Sequence, residues 1–289
     1  MSKGLKHKNA LMVMTIILLL FGVNMNVGAS DPITVAVSIV PQAAFVQAVA
    51  GEYADVVILV PPGRSPANYE PTPREMQALS DALVYFSIGV PTEAANILGN
   101  LESFNPSLSV VSLADAAAEV YPDREIAPGR RDPHVWLSPR RVIVMVETIA
   151  DSLAELDPDR AATYRENAQE FIEELEALDV ELESILSELT ARKFIVYHPA
   201  FGYFADDYGL EMVALELGGK EATPQALQAA IDMAKEEGIQ VIFYQQEIDS
   251  RQSRTFAEEI GGQAIQLAPL APDYLDNLRR IASVFREVL

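Results

Sequence analysis

Two histidines stand far apart in the sequence, each in a short motif that also contains proline and aromatic residues. His134 lies in Asp-Pro-His-Val-Trp-Leu (residues 132–137), and His198 lies in Tyr-His-Pro-Ala-Phe-Gly-Tyr-Phe (residues 197–204). Neutral imidazole is the commonest protein ligand for divalent transition metals. The pair therefore predicts one metal site that is built from two distant parts of the chain.

The third histidine, His7, falls in a segment with the features of an export signal. Residues 1–29 carry three lysines near the start, at positions 3, 6 and 8, followed by an apolar run at residues 10–23 and small residues at 27–29. The apolar run is shorter than the roughly 20 residues that cross a bilayer. We therefore predict a cleaved signal and export to the periplasm or the cell surface, with an uncleaved membrane anchor as the alternative.

The composition excludes several kinds of site. The chain contains no cysteine, which rules out disulfides, thiolate metal ligands, cysteine nucleophiles and a lipid anchor on cysteine. Asp and Glu number 42 against 21 Lys and Arg, for a net charge of −21, and this argues against binding of nucleic acid. The negative charge is compatible with attraction of cations, and equally with solubility alone.

Short apolar runs alternate with helical patterns in two blocks, which predicts an α/β fold with two lobes. Near-continuous apolar strands that alternate with helices are typical of parallel sheets flanked by helices on both faces. Strands are predicted at residues 33–40, 56–60, 83–88, 108–113, 193–197, 211–215, 241–244 and 264–267. Helices are predicted at residues 43–50, 73–82, 92–101, 114–120, 223–237, 251–260 and 274–289. The N-terminal lobe would comprise residues 30–138, an interlobe helical segment residues 139–190, and the C-terminal lobe residues 191–289.

The interlobe segment has its own pattern. Residues 139–153 are apolar at helical spacing, and residues 158–189 carry apolar side chains at alternating steps of four and three, as in a strongly amphipathic helix. At 1.5 Å per residue the second helix would be about 45 Å long. A coiled-coil dimer seam is the alternative. Because the repeat covers only about three heptads and lies between the lobes, we favour one long rigid helix that joins them.

The motifs resemble those of the zinc/manganese-type solute-binding receptors of ABC importers. The most specific matches are DPHVWLSP (132–139), HPAFGYFADDYGL (198–210), NYEP (68–71) within SPANYEP, and APLAPDYLDNL (268–278). The order, the spacing and the intervening long helix are similar as well. The resemblance implies two α/β lobes, a long connecting helix and one metal ion held between the lobes.

The resemblance also implies four ligand positions, of which only two carry a ligand here. His134 and His198 match the second and third positions. The family's first loop usually reads Pro-His-x-Tyr-Glu-Pro, but this chain has Ala67 at the histidine, and Ala268 replaces the usual aspartate at the fourth position. A methyl group coordinates nothing, so two imidazoles alone would form a weak, exchangeable zinc site.

Oxygen ligands from elsewhere in the chain are predicted to repair the site. Glu247 is the first candidate, because with the two histidines it would form the two-histidine, one-carboxylate set that suits zinc or iron. Asn68 would add a carbonyl oxygen beside the vacant first position, and Glu216 and Glu221 are further candidates. Asp132 either orients an imidazole from behind or simply shapes the turn before proline.

The favoured function is a monomeric binding receptor, not an enzyme, that delivers a divalent metal to the membrane permease of an ABC importer. Zinc leads over manganese, because histidines predominate and manganese prefers oxygen ligands. One alternative keeps the fold and binds a metal chelate, another small solute or nothing. Another is a surface interaction protein. A hydrolase is disfavoured, because no triad order and no His-Glu-x-x-His motif is present.

Overall fold

The computed structural model describes residues 31–101, 105–216, 220–248 and 251–289. The predicted export signal, including His7, therefore lies outside the described residues. Pro32–Leu289 forms one compact unit, so the predicted boundaries of the lobes remain a prediction.

The first sheet belongs to the N-terminal lobe and is parallel, with strand order β2-β1-β3-β4. Its strands are β1 (Ile33–Val37), β2 (Ala54–Ile58), β3 (Val84–Ser87) and β4 (Ser109–Ser112). Prediction extended the first strand to residue 40, but α1 begins at Val40 with Pro41 in its first turn. Proline is favoured there because the first turn of a helix leaves its N–H groups without helical partners.

The second sheet belongs to the C-terminal lobe and repeats the arrangement, with strand order β10-β9-β7-β8 and parallel pairing. Its strands are β7 (Lys193–Val196), β8 (Glu211–Ala214), β9 (Val241–Gln245) and β10 (Gln263–Leu267). Between the sheets in sequence lies a small antiparallel hairpin of β5 (Glu125–Ala127) and β6 (Arg130–Arg131). Each strand predicted in the two lobes is present, although its ends differ from prediction by up to three residues.

Helices cover both faces of each sheet. They are α1 (Val40–Ala50), α2 (Pro73–Ser80), α3 (Leu113–Val120), α4 (Pro139–Leu156), α5 (Ala161–Ser187), α6 (Gly202–Asp207), α7 (Pro224–Glu237), α8 (Arg251–Ile260) and α9 (Tyr274–Val288). One large apolar cluster runs through both lobes, and a smaller cluster lies on the outer face of each sheet. Burial on both faces explains why the strands are almost continuously apolar.

Serine and threonine caps fix where several of these helices begin. The Thr72 hydroxyl accepts from the backbone N–H of Glu75 (3.3 Å), and the Glu75 carboxylate accepts from the backbone N–H of Thr72 (2.6 Å). Ser138 and Thr223 accept from the first turns of α4 and α7 in the same way. Such caps satisfy N–H groups that have no helical partner.

The predicted helix at residues 92–101 is irregular. Glu93–Ile97 forms a π-helical turn, and a 3-10 turn follows at Leu98–Asn100. The buried carboxylate of Glu93 turns back to accept the backbone N–H groups of Ile88 (2.8 Å) and Gly89 (2.7 Å), and burial raises its pKa. These bonds tie the start of the helix to the end of β3.

The long helix α5 connects the lobes within a single molecule. It spans 27 residues, or about 40 Å, because Pro158–Arg160 forms a separate 3-10 turn before it. Asn167 donates to the backbone oxygen of Val49 in α1 (2.9 Å), and Glu181 pairs with Arg279 of α9 (2.8 Å). Its apolar face is buried inside the chain, at Tyr164, Ala168, Ile172, Leu175, Leu178, Leu182 and Leu186. The prediction of one long helix that joins the lobes is therefore confirmed. The apolar face that a coiled-coil dimer would need is buried within the chain itself.

Within the described part of the chain, no helix combines the length and the apolar character needed to cross a bilayer.

Candidate metal site

His134 lies in the loop between β6 and α4, at the start of a 3-10 turn (Val135–Leu137), and is largely buried. The fully buried carboxylate of Asp132 accepts two hydrogen bonds through Oδ1. One comes from the backbone N–H of His134 (3.0 Å) and the other from its Nδ1 (2.7 Å). Asp132 thus fulfils both predicted roles, because it shapes the turn and also orients the ring.

The other oxygen of Asp132 faces Arg124 and Gly202. The Arg124 Nε atom is 3.4 Å from Asp132 Oδ2, and Arg124 Nη1 donates to both oxygens of Asp206 in α6 (2.6 and 2.7 Å). A Cβ atom on Gly202 would lie 2.6 Å from Asp132 Oδ2 and 2.2 Å from Arg124 Nε. A side chain at the start of α6 would therefore displace Asp132 or Arg124 from the position behind His134.

His198 follows the end of β7, and its orienting carboxylate follows the end of the neighbouring strand. Its Nδ1 lies 2.9 Å from Glu216 Oε2. The backbone N–H of Glu216 donates to the oxygen of Tyr197 (2.8 Å), which continues the pairing of β7 with β8. Because parallel strands end at the same edge of a sheet, the two side chains leave the sheet side by side.

The two imidazoles meet across the cleft. Their Nε2 atoms are 3.1 Å apart, and the rings are nearly perpendicular, at 79°. An ionised carboxylate only accepts hydrogen bonds, so a neutral ring that donates through Nδ1 to Asp132 or Glu216 presents the lone pair of its Nε2. Burial lowers the pKa of His134 despite the opposing effect of Asp132. Two lone pairs at this distance form no hydrogen bond with each other, but both can bind one cation.

The separation of the two atoms fits zinc. Zinc binds imidazole nitrogen at about 2.0–2.1 Å, so an ion shared by nitrogens 3.1 Å apart would make an N–Zn–N angle of roughly 100°. That angle is close to the tetrahedral value that zinc adopts in proteins.

The other predicted ligands do not join this pair. Asn68 is exposed and lines an adjoining cavity of about 870 Å³ together with Glu247, Glu221 and His198. Burial raises the pKa of Glu247, and its Oε2 has no hydrogen-bond partner in the described residues. No three His, Cys, Asp or Glu side chains in the described ranges form a group that could hold a metal ion. A set of both histidines with Glu247 is therefore not assembled in this arrangement.

The two alanines lie at the sides of the cleft. Ala67 lines the cavity that contains both histidines. Ala268 follows β10, its backbone oxygen accepts from Asn277 Nδ2 (2.7 Å), and the next two residues, Pro269 and Leu270, line the same cavity.

The cavity around the histidines has a volume of about 540 Å³. Its walls are largely apolar, with polar groups from Ser65, Arg130, Arg131, Glu216 and Gln245. Gln245 is the last residue of β9 and is 7% exposed, and its Nε2 has no hydrogen-bond partner among the described residues.

Sequence reasoning missed three features of this site. It treated Glu216 only as a further ligand, although a carboxylate directly after a strand beside the histidine strand is a signal for the orienting role. It attached no role to Gly202, whose importance depends on side chains from another lobe. It also passed over Gln245, which carries no signal beyond its place at a strand end.

The fold and the site together define a class of protein: a two-lobed α/β binding protein that presents two oriented imidazoles in the cleft between its sheets. The chain belongs to the family described as the periplasmic component A of zinc-uptake complexes, whose model matches residues 35–288. This membership confirms the resemblance and the fold class predicted from the sequence.

Three relatives illustrate the similarity. The zinc-binding protein AdcA of Streptococcus pyogenes serotype M1 is 30% identical over 288 residues, which cover 91% of this chain and 56% of AdcA. The chain thus spans about half the length of the AdcA relatives it matches. A crystal structure of ZnuA is 38% identical with a TM-score of 0.84, and the match covers 89% of this chain and 99% of that one. A zinc-bound ZnuA with residues 138–173 deleted is also 38% identical, with a TM-score of 0.83 over 89% and 98% of the two chains.

Proposed function

We propose that this protein is an extracytoplasmic receptor that binds zinc between its lobes and delivers it to the membrane permease of an ABC importer. The observation that carries the proposal is the pair of Nε2 atoms 3.1 Å apart, each on a ring whose Nδ1 is held by a carboxylate. Membership of the zinc-uptake family supports it, as do a relative named a zinc-binding protein and a related structure with zinc bound. The chain would act as an exported monomer and a carrier, not as an enzyme.

In this proposal His134 and His198 are the two protein ligands. Two imidazoles favour zinc over manganese, which prefers oxygen ligands. The remaining positions around the ion would be filled by groups that the protein side chains do not supply. Glu247 and Asn68 stay predictions as additional ligands, because both line the adjoining cavity.

Titration calorimetry of the metal-stripped protein tests the proposal. We expect Zn²⁺ to bind, Mn²⁺ to bind more weakly, and the affinity for zinc to fall at least 100-fold in the variant His134→Gln/His198→Gln. Glutamine preserves polarity but removes both imidazoles, and circular dichroism would show that the variant is folded. Absence of zinc binding in the natural protein, or equal binding in the double variant, would contradict the proposal.

Glu247→Gln tests whether Glu247 is an additional ligand, because it removes the carboxylate of a partly buried side chain in the adjoining cavity. Zinc affinity within about twofold of the natural protein would show that this carboxylate does not bind the ion. A tenfold loss, which corresponds to about 1.4 kcal/mol, would instead identify Glu247 as a ligand that moves to the ion on binding.

A further inference from the structure

We propose that the cleft takes its zinc together with a small carboxylate chelator, whose oxygens complete the coordination of the ion. The inference rests on the proposed function, because it assumes that zinc binds at His134 and His198. It names the substrate more closely, as a metal–carboxylate complex in place of a bare ion.

The first argument is the shortage of protein ligands. Zinc in proteins takes four ligands, or three and an open position for water or substrate. The two Nε2 atoms supply two, and the described residues contain no third His, Asp or Glu that is grouped with them. A chelator with two or three carboxylates brings the missing oxygens already arranged around one ion.

The second argument is the space beside the histidines. The cavity of about 540 Å³ falls within the roughly 300–1,000 Å³ that is usual for sites of small organic ligands. Side chains that carry no ligand atoms, such as Ala67, Val90 and Leu270, form much of its wall. A single ion with two waters would leave most of this volume without a defined occupant, whereas an organic acid has a carbon skeleton to place against apolar walls.

The third argument is an arginine that lines the cavity without an acidic partner. Arg131 is held by Asp115 (2.6 Å) and Asp123 (2.7 Å). The neighbouring Arg130 is exposed and lines the same cavity, and no ion pair to it occurs among the described residues. A guanidinium matches a carboxylate with two parallel hydrogen bonds. A tricarboxylate complex of Zn²⁺ would carry one net negative charge, which Arg130 balances.

The fourth argument is the amide of Gln245. This side chain lines the cavity, is more than nine-tenths buried, and has an Nε2 donor without an acceptor in the described part of the chain. Buried donors are nearly always paired in folded proteins, so each exception calls for an explanation. The terminal torsion of glutamine is soft, and rotation about it presents the donor to an oxygen of a bound ligand.

Equilibrium dialysis with radiolabelled citrate tests the inference, with labelled nitrilotriacetate as a second carboxylate probe. Metal-stripped protein is dialysed against either probe with and without Zn²⁺, and bound zinc is measured in the same samples. We expect one probe molecule to be retained per zinc per protein, and none without zinc. Native mass spectrometry should show the ternary mass.

The outcomes separate this inference from the proposed function. Zinc bound with neither probe retained would overturn the inference and leave the zinc receptor standing. Equal retention with and without zinc would also overturn it, because the acid would then not arrive with the metal. Failure of zinc to bind under any condition would overturn the proposed function itself.

Two variants test the residues involved. Arg130→Ala and Gln245→Leu should each weaken retention of the probe about tenfold, as expected for loss of a hydrogen bond to a charged group, and the affinity for zinc alone is measured in the same variants. Arg74→Ala removes an exposed arginine that does not line the cavity, and it should change neither quantity. Retention of the probe that is insensitive to both cavity substitutions would place the acid elsewhere and contradict the assignment.

Discussion

The carboxylates behind the two imidazoles fix the orientation of the rings. Asp132 and Glu216 hold the Nδ1 protons of His134 and His198, so the lone pairs of Nε2 face each other. A ring without such a partner can exchange its tautomer and turn away, and loss of a partner of this kind usually costs 10- to 100-fold in metal affinity.

Glu216→Ala is therefore expected to weaken zinc binding by about 10- to 100-fold. Calorimetry measures the affinity, and ¹⁵N NMR of the imidazoles should show the Nδ1–H tautomer at His198 in the natural protein and its loss in the variant. The control is Glu221→Ala, which removes a carboxylate from the adjoining cavity and should leave affinity and tautomer unchanged. Equal effects of the two substitutions would refute the orienting role.

Gly202 allows α6 to approach closely to the carboxylate behind His134, because glycine has no Cβ atom. In Gly202→Ala the new Cβ would lie 2.6 Å from Asp132 Oδ2, so the Asp132 and Arg124 side chains must move. We expect about 1–3 kcal/mol of lost stability from the overpacking and weaker zinc binding from the displaced imidazole. Urea denaturation and calorimetry measure the two effects.

Gly99→Ala is the matched control for this substitution. A Cβ at Gly99 meets no atom within 4 Å, so both quantities should stay close to those of the natural protein. If Gly202→Ala were as neutral as Gly99→Ala, the contact with Asp132 would not matter for the site.

At this scale the sequence indicated the two histidines and one of the carboxylates that orient them, Asp132. The motifs around His134 and His198 predicted that two distant segments meet, and the structure brings their Nε2 atoms together. The role of Gly202 could not be predicted, because it depends on how Arg124 and Asp132 pack against α6. Glu247 stays a prediction as a ligand, because a place near a strand end does not fix where a side chain points, and here it lines the adjoining cavity.

At the scale of elements, periodicity was a reliable guide wherever one face of an element is buried. The strands of both sheets and the helix α5 agree with prediction, because their apolar patterns reflect burial that the structure contains. The irregular turn at Glu93–Ile97 was beyond prediction. It depends on one buried carboxylate, Glu93, which bonds the backbone of the preceding loop.

The helix α5 links the stability of the two lobes, because its buried face belongs to the apolar cluster that runs through both. Leu178 is fully buried on that face, so Leu178→Ala should cost about 2–5 kcal/mol. Val180 on the same helix is 68% exposed, and Val180→Ala should change stability by less than about 0.5 kcal/mol.

Urea denaturation measures both variants with two probes. The single tryptophan, Trp136, reports on the cleft, and far-ultraviolet circular dichroism reports on the helices of both lobes. The two transitions should coincide in the natural protein and shift together in Leu178→Ala. A variant in which only one probe shifts would show that α5 does not couple the lobes.

At the scale of the whole molecule, direct contacts across the cleft restrict how far the lobes can separate. The indole N–H of Trp136 donates to the backbone oxygen of Pro269 (2.9 Å), and the hydroxyl of Tyr274 donates to the backbone oxygen of Trp136 (2.8 Å). These bonds join the loop that carries His134 to the segment after the last strand of the other lobe. Together with α4 and α5 they oppose a wide hinge motion, of the kind that flexible linkers permit.

Zinc binding should therefore change the overall shape very little. We expect the radius of gyration from small-angle X-ray scattering to differ by less than about 1 Å between metal-stripped and zinc-loaded protein, because capture would need only loop shifts and small tilts. Trp136→Phe keeps an aromatic side chain but removes the indole N–H that bonds Pro269, so the metal-free variant should be more open and should contract more on adding zinc. A large contraction of the natural protein would contradict the restraint, because it would require the bonds of Trp136 to both Pro269 and Tyr274 to break in the metal-free state.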